Sequence, residues 1–294
     1  MEGHRPSTYG EAFADVYDSW YDGVSDLEGT LATIEALAGG RPVFVDTRNH
    51  QLDIEMIEQA VSPKTRAILI NSPNNPTGAV YPAQDLEKIA TLALKHNLYV
   101  ISDEAYSSYV YDGLQPESMF KFKEIRRQLI VTRSFSKGFN MTGFRIGYIV
   151  ASADVINALN KLQSHVTGNV CTFAQHGALA ALDMNNNDIA PWRLDMEKKR
   201  DYAFSKINGL FNCIKPQGAF YLFPDVARHL GDGMTAADLA RQLLEETGVA
   251  VVPGEEFGMP GHLRISYAVS EDKLVSGLEN LVRFAHNWND GILE

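Results

Sequence analysis

Apolar residues recur along this chain in two alternating rhythms. Short unbroken apolar runs, Arg66–Asn71 (R-A-I-L-I-N), Leu98–Ser102 and Arg127–Thr132 (R-Q-L-I-V-T), read as buried parallel strands. Around them, Leu52–Ala60, Pro82–His96, Ala151–Leu162, Thr172–Leu182 and the longer Ile189–Gly209 read as helices. Ser72–Gly78 (S-P-N-N-P-T-G) is a rigid turn bounded by prolines. This alternation predicts an α/β fold with a doubly wound, mostly parallel sheet. The later pattern differs: Cys213–Phe223 as strand and turn, a helix over Thr235–Thr247, strands Val249–Val252 and Leu263–Ala268, and a helix over Glu271–Asn287. It predicts a smaller α+β layer. Residues 1–42 read as a helical leader, in which Phe13, Val16, Tyr17 and Trp20 share a face and a second helix runs from Asp26 to Leu37. The expected organisation is a leader over 1–42, a large domain over 43–170 and a small C-terminal domain over 171–294.

Composition narrows the function classes. Apolar residues make up 45% and charged residues 21% of the 294, as in an ordinary globular protein. The net charge of −11 argues against nucleic acid or an anionic membrane as partner. Cys171 and Cys213 lie far apart without metal-ligand spacing and read as reduced thiols of a cytoplasmic protein. No apolar run is long enough to span a bilayer, and Met1–Gly10 does not read as a signal peptide. His165, His176 and His262 also lack metal-ligand spacing.

The candidate chemistry gathers after the strand Arg127–Thr132. Lys137 follows it in a loop, between Ser134 and Ser136 on one side and Arg145 on the other. Ligands of α/β sheets bind beyond the carboxyl ends of strands. A lysine there, partly desolvated and beside a second cation, is placed to act as a Schiff-base amine. An ordinary surface lysine is the plainer reading of S-x-S-K alone. The full string Ser134–Gly147, S-F-S-K-G-F-N-M-T-G-F-R-I-G, resembles the pyridoxal-phosphate lysine signature of fold-type I aminotransferases, the aspartate aminotransferase superfamily. From Val43 onward the resemblance is continuous.

The resemblance implies a pyridoxal 5'-phosphate cofactor held on Lys137, which would also shuttle a proton during catalysis. It implies that Asp103 pairs with the pyridinium nitrogen, that Tyr106 and Asn75 bond the ring's 3-oxygen, and that Ser134 and Arg145 hold the phosphate. Arg264, with Asn75, would receive the substrate carboxylate. Gly218 in P-Q-G-A-F-Y matches a family turn near the substrate. Read from the residues alone, each position keeps an alternative. Asp103 could be a helix N-cap, Tyr106 a packed aromatic among Tyr109 and Tyr111, and Asn75 a turn residue. Arg145 could form a salt bridge on the sheet edge. Arg264, inside the apolar run L-R-I-S-Y-A, could belong to a structural ion pair.

Residues 1–42 depart from that family. Their Y-G-E-A-F-A-D-V-Y-D-S-W-Y-D is similar to the leader of class I S-adenosylmethionine-dependent methyltransferases. In those proteins a Gly-rich loop follows the next strand, whereas here Pro42-Val43 runs into F-V-D-T-R-N-H. Without glycines the backbone cannot approach a nucleotide, so methyltransferase activity is not expected. The aminotransferase family's own N-terminal part, with its phosphate-gripping loop and its aromatic stacked on the pyridine, is expected to be missing. An incomplete cofactor cup and an exposed sheet edge follow from that. The expected function is amino transfer between an amino acid and a 2-oxo acid by a homodimer, impaired by the missing part. A non-catalytic remnant or partner-binding module is the alternative, ahead of a methyltransferase.

Overall fold

The structure, a computed structural model, describes residues 42–292. The expected helices over Tyr9–Trp20 and Asp26–Leu37 lie outside the described residues. The described residues divide into two compact units, 42–46 with 56–66, and 47–55 with 67–292. Helix α1 spans Ile54–Ala60 and buries Ile57. After it, the turn at 62–65 is closed by the Ser62 amide donating to Thr65 Oγ1 at 2.9 Å.

The larger unit contains two sheets. Strands β1 (Ala67–Asn71), β2 (Tyr99–Asp103) and β3 (Leu129–Ser134) pair in parallel, and β4 (Gly147–Val150) runs antiparallel to β3. Helix α2 (Ala83–His96) presents Leu86, Ile89, Ala90, Leu92 and Ala93 as its buried face. Asn97 ends it in the left-handed conformation, returning its amide to the carbonyls of Ala93 and Leu94. Full burial of a side chain such as Leu86, Ile89 or Val100 contributes about 1.5–3 kcal/mol. The parallel register sets Asn71 opposite Asp103, and Asp103 opposite Thr132. Three strands therefore deliver their carboxyl ends to one level.

Two local features differ from the pattern in the sequence. Lys137 lies in a one-turn helix, α3 (Phe135–Gly138), capped by Ser134 Oγ accepting the Ser136 amide at 3.1 Å, and not in a plain loop. Strand β4 went unpredicted because its first residue is glycine. A Cβ at Gly147 would lie 2.6 Å from the Arg133 carbonyl oxygen, so close strand contact demands that residue.

Helices α4 (Ala153–Val166), α5 (Thr172–Leu182) and α6 (Asn186–Ile207) follow. The second sheet has the order β5-β7-β6, from Tyr221–Leu222, Leu263–Ser266 and Val252–Pro253, all antiparallel. Helices α7 (Ala236–Thr247) and α8 (Glu271–Ile292) complete it, around a core that includes Ile207, Leu222, Leu243, Leu263, Ile265 and Leu281. The capping box of α7, with Thr235 and Asp238 bonding each other's backbone, fixes its start.

Over Cys213–Phe223, where strand and turn are expected, the chain is mostly irregular, with a turn at Ala219–Phe220 and strand only at Tyr221–Leu222. Pro216 has no amide to donate, and Ala219 adopts φ of 56°, so the ladder cannot continue. Its backbone bonds to other loops instead. The Gln217 and Gly218 amides donate to the Gly78 carbonyl at 3.0 and 2.9 Å, and the Ala219 amide to the Tyr109 carbonyl at 2.9 Å. Arg200, fully buried, reinforces the same junction by bonding Asp112 at 2.7 and 2.8 Å and the Pro216 carbonyl at 3.0 Å.

Gly78 is the pinch point of that junction. Its φ is +68°, and a Cβ there would lie 2.3 Å from Pro216 Cβ and 2.7 Å from the Gly218 carbonyl oxygen. Left-handed strain of about 1–2 kcal/mol and overpacking of about 1–3 kcal/mol predict that Gly78→Ala loses about 2–5 kcal/mol. Urea denaturation measures this, and an unmoved midpoint would contradict the packing described.

Candidate active site

The strand ends gather most of the predicted residues. Asp103 closes β2, and its Oδ1 accepts the Ala105 amide at 3.1 Å and the Thr132 hydroxyl at 3.3 Å. The first bond closes a turn, since no helix starts at Asp103, and Oδ2 has no hydrogen bond among the described residues. Asn75 stands in the turn after β1, where its amide donates to Asn71 Oδ1 at 2.8 Å. Asn71 in turn donates from Nδ2 to the Asp103 carbonyl at 3.1 Å, tying the turn to β2. Asn75 Oδ1 then accepts from Arg264 Nη1 at 3.0 Å, bridging the two sheets.

Arg264 does not sit in an ion pair among the described residues. Its guanidinium lies over the ring of Tyr221 at 4.7 Å and near that of Phe257 at 5.0 Å, and its Nε is buried without a hydrogen-bond partner. A buried unsatisfied donor costs about 1–3 kcal/mol, more when charged. The arrangement therefore has room in its chemistry for an anion, and a carboxylate matches the guanidinium fork.

Lys137 is half-buried, its Nζ 5.7 Å from the Phe220 ring centroid. Burial, then the charges of Arg145 and Arg264, hold its amine below the usual lysine range. Arg145 is exposed, in a left-handed conformation with φ of 51°, and donates from Nη1 to the Thr142 carbonyl at 3.2 Å. It forms no salt bridge among the described residues. Ser134 Oγ, already an acceptor as the α3 cap, keeps its own proton to donate.

Tyr106 does not pack among Tyr109 and Tyr111. It meets Phe220 edge-on at 5.3 Å and shares a 2.8 Å hydrogen bond with the Tyr221 hydroxyl. Burial pushes its phenol far above the ordinary value, so it stays protonated. Gly218 lies where a Cβ would come within 2.7 Å of both Pro73 Cβ and the Tyr109 carbonyl oxygen. His262, rejected above as a metal ligand, stacks on Phe223 at 4.9 Å, and no metal-binding group of side chains occurs among the described residues.

Sequence reasoning missed several supporting residues. Glu104, 2% exposed, accepts from Ser102 Oγ at 3.2 Å, Ser118 Oγ at 2.8 Å and the Met119 amide at 3.1 Å on one oxygen. Its other oxygen accepts from Arg133 Nε at 3.1 Å and Nη2 at 2.7 Å. This clamp holds the ends of β2 and β3, next to Asp103 and Ser134. Tyr109 donates to the Lys137 carbonyl at 3.2 Å. The adjacency of Asp103 and Glu104 in the sequence was the available signal, but nothing local reveals which carboxylate turns inward.

A depressed Lys137 predicts its own titration. The neutral amine should appear at lower pH than that of exposed lysines, and Arg145→Gln should move the midpoint upward because a neighbouring positive charge is removed. Competitive amine labelling read by peptide mapping across pH tests both. A Lys137 midpoint equal to that of exposed lysines would contradict the electrostatics described.

Comparison with known proteins places this geometry. Residues 30–281 match the aminotransferase class I and II family, beginning inside the segment read above as a leader. An aspartate aminotransferase of Bacillus sp. (strain YM-2) is 40% identical over 256 residues, covering 84% of this chain and 65% of the relative. An aromatic aminotransferase from Pyrococcus horikoshii superposes with a TM-score of 0.80 at 35% identity, covering 84% of this chain and 68% of that one. Thermus thermophilus aspartate aminotransferase with maleate gives 0.76 at 36%, covering 83% and 64%. The chain thus spans just under two thirds of the length of curated relatives it matches, 64–65% for three of them. On a match running through both sheets and every residue of the cluster around Lys137, the chain belongs to the aminotransferase class I and II family.

Proposed function

We propose that this chain carries the catalytic core of a pyridoxal-phosphate-dependent aminotransferase, moving an amino group between an amino acid and a 2-oxo acid. The observation that carries this reading is the Lys137 amine, held below its usual range at the carboxyl end of a parallel strand by burial and two arginines. The residues present fit the cofactor. Asp103, anchored through Oδ1, would offer Oδ2 to the pyridine nitrogen. Tyr106 and Asn75 would bond the ring oxygen, and Ser134 and Arg145 the phosphate. Arg264, with its orphaned Nε, would grip the α-carboxylate with Asn75 alongside. When bound, the cofactor supplies an electron sink for the bond broken at Cα. Lys137 Nζ, disfavoured as a cation, accepts the proton released there and returns it in the second half of the transfer.

The same reading divides the described core into a large cofactor domain over 43–170 and a small domain over 171–294, each with its own sheet. It includes a homodimer, supported by α4, which buries none of its residues, and by exposed Phe173, Leu179 and Leu182 on α5. Among the described residues no helix is long and apolar enough to cross a membrane.

The test is pyridoxal phosphate titration followed by half-transamination with a panel of amino acids, on wild type and Arg264→Lys. The chain should bind the cofactor and be converted by at least one amino acid of the panel. Arg264→Lys keeps the charge but loses the fork, so amino-acid affinity should fall by about 1.5–3 kcal/mol while cofactor affinity barely moves. Weakened cofactor binding with untouched amino-acid affinity would show that the roles of Arg145 and Arg264 are exchanged. A wild-type protein that binds no pyridoxal phosphate would contradict the proposed function.

A further inference from the structure

Tyr221 has no part in the assignment above, yet it touches both halves of the site. It is 6% exposed, its hydroxyl lies 2.8 Å from that of Tyr106, and its ring lies 4.7 Å beneath the Arg264 guanidinium. Its position is fixed by the shortest of ladders. Tyr221 pairs with Ser266 across β5 and β7, and Arg264 stands two residues before Ser266, on the same face. The ring edge also meets Tyr106 at 5.7 Å. One side chain therefore contacts the group read as holding the substrate carboxylate and the group read as holding the cofactor's ring oxygen.

Resting on the function proposed above, we propose that Tyr221 is the positioning residue of this site. Its ring face fixes the plane of Arg264, and its hydroxyl fixes the direction of the Tyr106 hydroxyl. A guanidinium lacking a carboxylate partner has few other contacts to hold its plane, and the aromatic faces of Tyr221 and Phe257 supply them. Each phenol carries one proton. With Tyr221 donating to the Tyr106 oxygen, Tyr106 keeps its own proton for a ligand, and the chain of two hydroxyls makes it the stronger donor. The charged groups facing the pair are Asp103 and Arg264, with Lys137 beyond Phe220.

The two contacts separate by substitution. Tyr221→Phe keeps the ring and removes the hydroxyl, whereas Tyr221→Leu removes both. Each variant, loaded with pyridoxal phosphate, is titrated with pH through its visible band and then with maleate by calorimetry. A donor to the ring oxygen favours the deprotonated form, so Tyr221→Phe should move the band's midpoint upward by about two- to tenfold in proton affinity. Its maleate affinity should stay at the wild-type value. Tyr221→Leu should in addition weaken maleate by about 2- to 30-fold. An unmoved midpoint in Tyr221→Phe, or unchanged maleate affinity in folded Tyr221→Leu, would overturn the inference while leaving the proposed function intact. A wild-type protein that develops no band would overturn the function, and the inference with it. Should Tyr221→Leu not fold, the Phe variant alone decides through its midpoint.

Discussion

The site depends on positive charge that the described protein does not neutralise. Lys137, Arg145 and Arg264 are close enough for the two arginines to disfavour the lysine's charge, and no carboxylate forms a salt bridge with any of the three among the described residues. A desolvated charge ordinarily finds a partner on folding, and of these three Lys137 and Arg264 are half-buried while Arg145 is exposed. Of the nearby carboxylates, Glu104 is saturated by Arg133 and three further donors, and Asp103 holds the Ala105 amide and the Thr132 hydroxyl on Oδ1, leaving only Oδ2 open. On the function proposed above, the counter-charge arrives as the cofactor's phosphate and the substrate's carboxylate.

Holding like charges together requires rigid supports, and the fold provides them at the strand ends. Register aligns Asn71, Asp103 and Thr132, and the Asn71 side chain then ties the Asn75 turn to β2. The Glu104–Arg133 clamp joins β2 to β3 one residue from Ser134. From the other sheet, Arg264 reaches Asn75, and Gly78 and Gly218 allow the two loops to pass at backbone contact distance.

Much of this was legible in the sequence because it is local. The strands at Arg66–Asn71 and Arg127–Thr132, the helix over Pro82–His96 and the lysine string are written in consecutive residues. What stayed hidden depends on long-range pairing. Strand β4 was masked by a glycine whose reason is the Arg133 carbonyl opposite it. The irregular course of Cys213–Phe223 follows from bonds to Gly78 and Tyr109, more than a hundred residues away. The partners of Arg264 and Tyr106 proved to be Asn75, Tyr221 and Phe220, which neither the ligand roles nor their alternatives, an ion pair and neighbouring tyrosines, named.

The central claim is that Lys137, alone among the lysines, is built to bond the cofactor. Borohydride reduction of the protein after incubation with pyridoxal phosphate, followed by peptide mass mapping, tests it directly. The account predicts a pyridoxyl group on the peptide containing Lys137 and essentially none elsewhere. Label spread over exposed lysines such as Lys88 and Lys121, with Lys137 unmodified, would contradict it.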